Sequence, residues 1–489
     1  MITHVADSGR LNLKSIMKIA TAFFFAYMAL SINKVSAYQG EYKTTKGLSA
    51  PGNFAASADA TASMFGISSG GGLQYLSPAE LAQNLDDYKA LGAGWLRFDM
   101  AWSDIQSGGP SNYNWTRYDV VVDAANARGL QILAILSYTP AWARPAGSPD
   151  DDKYAPSNPQ DYANFAAAAV GRYAPKGVKH WEIWNEPNII GFWKPQPDAV
   201  KYTALLKAAY TAIKQVDPSA MVITAGMSPA TNGTNIAPIT FLQTLYANGA
   251  KGFFDAVGHH PYCFPIMPSE FQSWSAWSQM SQTSPSLRSV MTDNGDQNKK
   301  IWATEFGAPT NGTTPPITEN QQAQMVTEAY NLIGTYAWAG PLFWYTYRDP
   351  GNDPSDREDW FGLVRLDYSR KPSYNAYQLA SGVDATPPTA SLTAPFNGAT
   401  VAGTSVTVSA NASDNVGVTG VQFKLDGNNL GAEDTTSPYA IAWNSSLISS
   451  GPHTLTAVAR DAMGNTFTST AVNVTVDNAA PRRRRPPKP

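Results

Sequence analysis

Residues 181–187 read "WEIWNEP": two tryptophans, two glutamates and an asparagine in a run that starts as a β-strand and stops at a proline. Carboxylates are rarely buried without a partner, so this strand is not ordinary core. It belongs to a series. Strand-like segments recur at 64–69, 94–100, 130–136, 179–185, 220–226, 254–260, 300–306 and 340–347, starting every 30 to 50 residues or so. Segments with apolar residues at three-to-four spacing fill the gaps, notably 161–174, 198–216 and 319–337. In "SPAELAQNLDDYKALG", Ser77 is placed to cap a helix, Pro78 to open it, Glu80 to close a capping box and Gly92 to end it. Strands alternating with helices mean parallel pairing through crossovers. Eight such units predict an α/β fold, a closed (β/α)8 TIM barrel. A doubly wound open sheet is disfavoured, because no Gly-rich phosphate loop follows the first strand.

The composition changes near residue 386. "DATPPTASLTAPFNGATVAG" reads as a Pro/Gly/Thr linker, after which helical patterns stop. Short alternating strands at 405–413, 420–427, 439–445, 453–461 and 469–477, separated by turn signals, predict an immunoglobulin-like β-sandwich. The expected organisation is an export signal over 1–37, a flexible segment over 38–62, the barrel over 63–383, the sandwich over 384–478 and a basic tail over 479–489.

"IATAFFFAYMALSI" (19–32) has the length of a signal-peptide core, follows Lys14 and Lys18, and precedes a small-residue cleavage pattern ending at Ala37. At 14 residues it is short for a bilayer span. A secreted protein with no membrane attachment after cleavage is expected. Met17 is a second candidate start. The only cysteine, Cys263, rules out an intramolecular disulfide. The net charge of −3 is uneven: the first 37 residues carry +3 and the last eight +5, leaving −11 for the body. An acidic body argues against nucleic acid as partner. A monomer is expected.

Reacting groups of a (β/α)8 barrel sit at the C-terminal strand ends. There the sequence offers Arg97 and Asp99 on the second strand, Asn185 and Glu186 on the fourth, His259 to Tyr262 on the sixth, Glu305 on the seventh and Trp344-Tyr345 on the eighth. Two carboxylates at one barrel mouth suit glycoside hydrolysis, one giving a proton and the other acting ionised. Arg97 and Tyr262 would favour the ionised form of Glu305. Glu186, between Asn185 and Pro187, has a drier setting suited to holding a proton. Glu182 lies deeper and reads as the partner of an inward basic group. Cys263 reads as packing.

"WEIWNEPN" (181–188) with "WATEFG" (302–307) resembles the clan of retaining glycoside hydrolases whose acid/base and nucleophile end strands 4 and 7. "LRFDMAWSDIQ", "YTPAWA", "HHPY" and "FGLVRLDYSRKPSYNAY" are most similar to family 39 and family-5-like secreted endo-glycosidases. The resemblance covers about 64–381. It implies Glu186 as acid/base, Glu305 as nucleophile, Asn185 on the sugar 2-hydroxyl, Arg97 holding the nucleophile ionised, His260 and Tyr262 as the clan's His-x-Tyr, and Trp344 as the floor of the cleaved sugar's subsite. Trp102, Trp142 and Trp193 stand in loops after strands and are expected as sugar platforms along a groove. Several platforms imply a polysaccharide substrate and endo action. The acidic run 349–360 disfavours a strongly anionic substrate. No metal-ligand pattern and no cofactor motif is present; "SDNVG" and "RDAMGN" in the sandwich read as turns. The competing readings are an exo-acting β-xylosidase-like enzyme and a non-catalytic carbohydrate-binding or adhesion protein.

Overall fold

The computed structural model describes residues 64–478 apart from 314, 385, 462 and 463. The expected export signal, the segment 38–62 and the basic tail therefore lie outside the described residues. The chain divides into two compact units at Ser381/Gly382.

The first unit is a closed barrel of eight parallel strands in sequence order: β1 (Phe65–Ser68), β2 (Trp95–Ala101), β3 (Gln131–Ser137), β4 (His180–Ile183), β5 (Met221–Thr224), β6 (Ala256–His259), β7 (Lys300–Phe306) and β8 (Ala339–Tyr345). β1 pairs with both β2 and β8, which closes the ring. The expected helix caps form. Ser77 and Glu80 bond each other's backbone in a capping box ahead of Pro78–Ala90, Asp198 caps Ala199–Val216, and Thr318 with Gln321 caps Glu319–Thr335. Each satisfies amides that a helix start would leave unpaired.

Strand alternation sorts the barrel side chains into two cores. Outward residues such as Leu96, Phe98, Trp181, Ile183, Ala303 and Trp344 pack under the helices. Inward residues near the strand starts, Trp95, Leu133, Ile223, Ala256, Trp302 and Phe343, fill the bottom of the barrel as a separate cluster. Trp95 meets Trp302 edge-on at 5.3 Å, and Trp302 stacks on Phe343 at 6.3 Å.

The second unit has two sheets. One orders β10 (Ala399–Val401), β17 (Val472–Val476), β15 (Gly451–Asp461), β12 (Val418–Leu425) and β13 (Asn428–Asn429), with β16 (Thr466–Thr468) on β15; the other orders β14 (Tyr439–Trp443), β11 (Val406–Ser413) and β9 (Thr389–Ala394). Val408, Val421, Phe423, Trp443, Leu455 and Val474 form its core, an immunoglobulin-like sandwich held by packing. One expectation is corrected here. The stretch read as linker contains β9 and β10, because "TASLTA" alternates well enough to pair along β11 as an edge strand despite the flanking prolines.

Candidate active site

Two departures from regular strand geometry aim the glutamates. At the end of β4, Trp181 and Ile183 face outward and Glu182 inward, so strict alternation would send Trp184 inward. Instead Trp184 has φ +72° and Glu186 φ +49°. These left-handed turns at non-glycine residues store strain. They seat Trp184 in the outer core and bring Asn185 and Glu186 to the barrel axis. In β7, Ala303 pairs with Leu342 and Phe306 with Trp344, so three steps on one strand match two on the other. Such a bulge turns an extra residue. Ala303 and Phe306 both stay in the outer core, and Thr304 and Glu305 are left to the interior.

Arg97 ties the site together from the centre. Its side chain is fully buried and donates through Nε to Glu182 Oε2 at 2.7 Å, through one terminal nitrogen to Glu305 Oε1 at 2.6 Å and to Ser68 Oγ at 3.0 Å, and through the other to Glu182 Oε1 and Asn185 Oδ1, both at 3.0 Å. Glu182 is thus the deep partner of an inward cation. Tyr262 donates to Glu305 Oε2 at 2.9 Å. His260 Nδ1 lies 2.8 Å from Glu186 Oε1 and 3.5 Å from Glu305 Oε2. One oxygen from each of Glu186 and Glu305 and a ring nitrogen of His260 all fall within 4.8 Å of one another. His259 faces the opposite way, its Nε2 at 3.0 Å from the Ala276 carbonyl, and burial pulls it down to about 4.

Burial pushes the Glu305 carboxyl up, but His260 and Arg97 electrostatically, and the bonds from Arg97 and Tyr262, hold it below the usual glutamate value. Asp99 shifts the other way: burial raises it to about 6, against the opposing pull of Arg97 and Lys153. Gly226 is required by close approach. Its amide donates to Glu182 Oε1 at 2.7 Å, its carbonyl accepts from the Glu186 amide at 3.1 Å, and a Cβ there would stand 2.0 Å from His260 Nε2.

Residues 55–341 match the cellulase (glycosyl hydrolase family 5) family. The chain belongs to this family. Residues 388–457 match the bacterial Ig domain. Among solved structures, the chain is similar to a family 39 glycoside hydrolase of Bacteroides cellulosilyticus, at 21% identity over 78% of this chain and 80% of that one with a TM-score of 0.52. It is also similar to the GH39 enzyme of Xanthomonas axonopodis pv. citri, at 17% identity over 85% and 92% with a TM-score of 0.52. At these identities the likeness is one of fold. A β-xylosidase of Geobacillus stearothermophilus is 27% identical over 166 residues, 30% of this chain and 32% of that protein, so the match spans about a third of that relative. The chain is a clan A glycoside hydrolase carrying a C-terminal bacterial Ig domain.

Within this family 5 barrel, the expected residues Arg97, Asn185, Glu186, His260, Tyr262 and Glu305 converge. Three expected tryptophans do not. Trp102 and Trp344 are fully buried and Trp193 is 1% exposed. Trp102 stacks on Phe165, Trp193 packs edge-on against Trp184, and Trp344 meets Phe306 while its Nε1 donates to the Phe361 carbonyl at 3.3 Å. All three return to the outer core and offer no face to a sugar. Trp142 alone of the expected platforms is partly exposed, its Nε1 bonded to the Gln106 carbonyl at 2.8 Å.

The inward position on β8 belongs to Tyr345, whose hydroxyl donates to Glu358 Oε2 at 3.2 Å. Burial raises both groups, and Tyr345 also feels the charges of Glu305 and Glu186. Strand parity was the signal that could have found it: in β8, Leu342 and Trp344 share one face and Phe343 and Tyr345 the other. The loop after β6 also exposes Phe271 (57%) and Trp274 (53%), two aromatics that position alone did not single out.

Proposed function

We propose that the chain is an exported, retaining β-glycosidase that cleaves polysaccharide chains internally. The observation that carries the chemistry is the spacing of the two carboxylates, whose oxygens approach within 4.8 Å. Retaining enzymes separate the pair by about 5–5.5 Å, whereas inverting ones need about 6.5–9.5 Å to admit a water.

In this reading Glu305 attacks the anomeric carbon while Glu186 gives its proton to the glycosidic oxygen, and the aglycone leaves. Glu186 then takes a proton from water, the oxygen of that water adds to the anomeric carbon, and the Glu305 ester is released. Arg97 and Tyr262 keep Glu305 anionic for attack and accept it back as a leaving group. Asn185, with Oδ1 fixed by Arg97, keeps Nδ2 as its donor for the sugar 2-hydroxyl. In this proposal the signal spans 1–37, the barrel 63–383 and the Ig-like module 384–478. Export rests on the apolar run 19–32 followed by "NKVSA". No described helix is long and apolar enough to cross a membrane.

Endo action is supported by partly exposed Trp142 and by the exposed Phe271 and Trp274 in the loop after β6. The second reading, an exo-acting β-xylosidase, is favoured by the likeness to a β-xylosidase and by the burial of two of the three expected platforms, Trp102 and Trp193. Proton NMR of the first product from an aryl β-glycoside tests the mechanism: the β-anomer is expected, and the α-anomer would refute retention. Products from a polysaccharide panel separate the readings, with oligosaccharides expected for endo action and monosaccharide alone for exo action.

A further inference from the structure

The Ig-like unit carries a second cluster of acids that the hydrolytic reading does not use. Asp384 precedes β9, Asp414 follows β11 and Asp461 ends β15, and one carboxylate oxygen from each lies within 4.8 Å of the other two. Asp461 is fully buried and Asp384 is 7% exposed. Like charges at such spacing in a site short of water repel strongly, so a cluster this buried needs neutralising. Arg460, whose charge reaches Asp461, is itself engaged by Glu433 at 3.1 and 3.2 Å.

Each of the three carboxylates already accepts hydrogen bonds from its own loop. Asp384 Oδ1 accepts from the Thr386 amide, Asp414 Oδ2 from the Val416 and Gly417 amides, and Asp461 from the Asn465 amide and side chain. Among the described residues, Asp384 Oδ2 and Asp414 Oδ1 are buried and accept nothing. Two unsatisfied carboxylate oxygens within one cluster of acids are a cost that native structures rarely carry without a ligand.

We propose that Asp384, Asp414 and Asp461 form a calcium site in the Ig-like unit. The donor set is oxygen only, with no histidine or cysteine in the cluster, which excludes the preferences of zinc and copper. Calcium accepts six to eight oxygens in irregular geometry, and main-chain carbonyls and water complete such shells; magnesium demands a stricter octahedron. The ion would clip the segment before β9 to the ends of β11 and β15, a cross-link in a unit that contains no cysteine. This proposal does not depend on the glycosidase reading.

Calorimetric titration of the full chain, stripped with EDTA, with calcium chloride tests it without any variant. One ion per chain is expected, with a dissociation constant on the order of 10⁻⁴–10⁻³ M or tighter. Hydrogen exchange should then slow roughly tenfold at Val416, Gly417 and Asn465 when calcium is saturating, and stay unchanged in the barrel. Asp414→Asn keeps an oxygen for the Val416 and Gly417 amides but removes one charge. It should abolish uptake and, in EDTA, exchange more slowly than wild type at these amides. A purely structural aspartate predicts the reverse. No uptake by wild type at 10 mM calcium, or uptake undiminished in both Asp414→Asn and Asp384→Asn, would overturn the proposal.

Discussion

The two ends of the barrel are built from the same eight strands with the same alternation, yet they hold opposite chemistry. At the bottom, Trp95, Trp302 and Phe343 interlock with Leu133 and Ile223. Toward the top, the same inward rows carry Ser68, Arg97, Asp99, Glu182 and Thr304, all buried. The bottom is stable because it removes apolar area from water. The top is tolerated because Arg97 bonds Glu182 and Glu305 as well as Ser68 and Asn185, while burial raises Asp99 toward its neutral form. The left-handed turns at Trp184 and Glu186 and the Ala303–Phe306 bulge of β7 lie at the upper end, and a second register shift, between Ile301 and Ala303, lies below them.

Substitutions on either side separate stability from chemistry. The largest effect is expected from Glu305→Gln, which should lower kcat/KM on an aryl β-glycoside by about 10⁴-fold or more while the protein still unfolds cooperatively. Initial rates and a denaturant curve on one preparation check both halves. A variant that retained activity would place the chemistry elsewhere. Glu182→Met should cost about 3–5 kcal/mol, because it removes the bidentate partner of a buried cation rather than the whole ion group. Denaturant midpoints measure it, and a loss under 1 kcal/mol would mean that Glu305 alone suffices for Arg97. Trp302→Ala should cost a similar amount, about 3–5 kcal/mol from lost burial and cavity, but leave kcat of the folded fraction near wild type. Activity lost beyond the unfolded fraction would show that the two ends are coupled.

Much of this division is visible in the chain, and what is hidden has identifiable causes. Strand-like segments recurring between helical patterns located all eight barrel strands, and the strand-end rule picked out Glu186, Glu305, Arg97, His260 and Tyr262. It misplaced Trp102, Trp193 and Trp344, because standing just after a strand does not say whether a side chain turns to the mouth or back under the helices. Trp344 and Tyr345 are neighbours on opposite faces, and only register decides between them. The turn at Trp184 and the bulge in β7 each break alternation at the residues of interest, and no residue type announces either. In the second unit, β9 was hidden by the prolines around it.

The smallest expected effect is in pH dependence, where Asp99 and Glu305 oppose each other. Asp99, raised to about 6 in the fold, binds its proton more tightly folded than unfolded. Its contribution is complete below the unfolded value near 3.9 and is lost as pH rises through about 6. Glu305, held low, contributes above its unfolded value and loses that contribution as pH falls through its folded one. Asp99→Asn should therefore remove a decline of about 1–2 kcal/mol between pH 4 and pH 7. Unfolding curves at both values check this, and an unchanged slope would mean that Asp99 is ionised throughout.

The most direct test of the account is a trap for the covalent step. A 2-deoxy-2-fluoro β-glycoside bearing a good leaving group slows release of the glycosyl-enzyme more than it slows attack. Intact-mass and peptide analysis should find one added glycosyl residue, attached to Glu305 and absent from Glu305→Gln. An adduct on another residue, or turnover giving the α-anomer with no adduct at all, would contradict double displacement through Glu305.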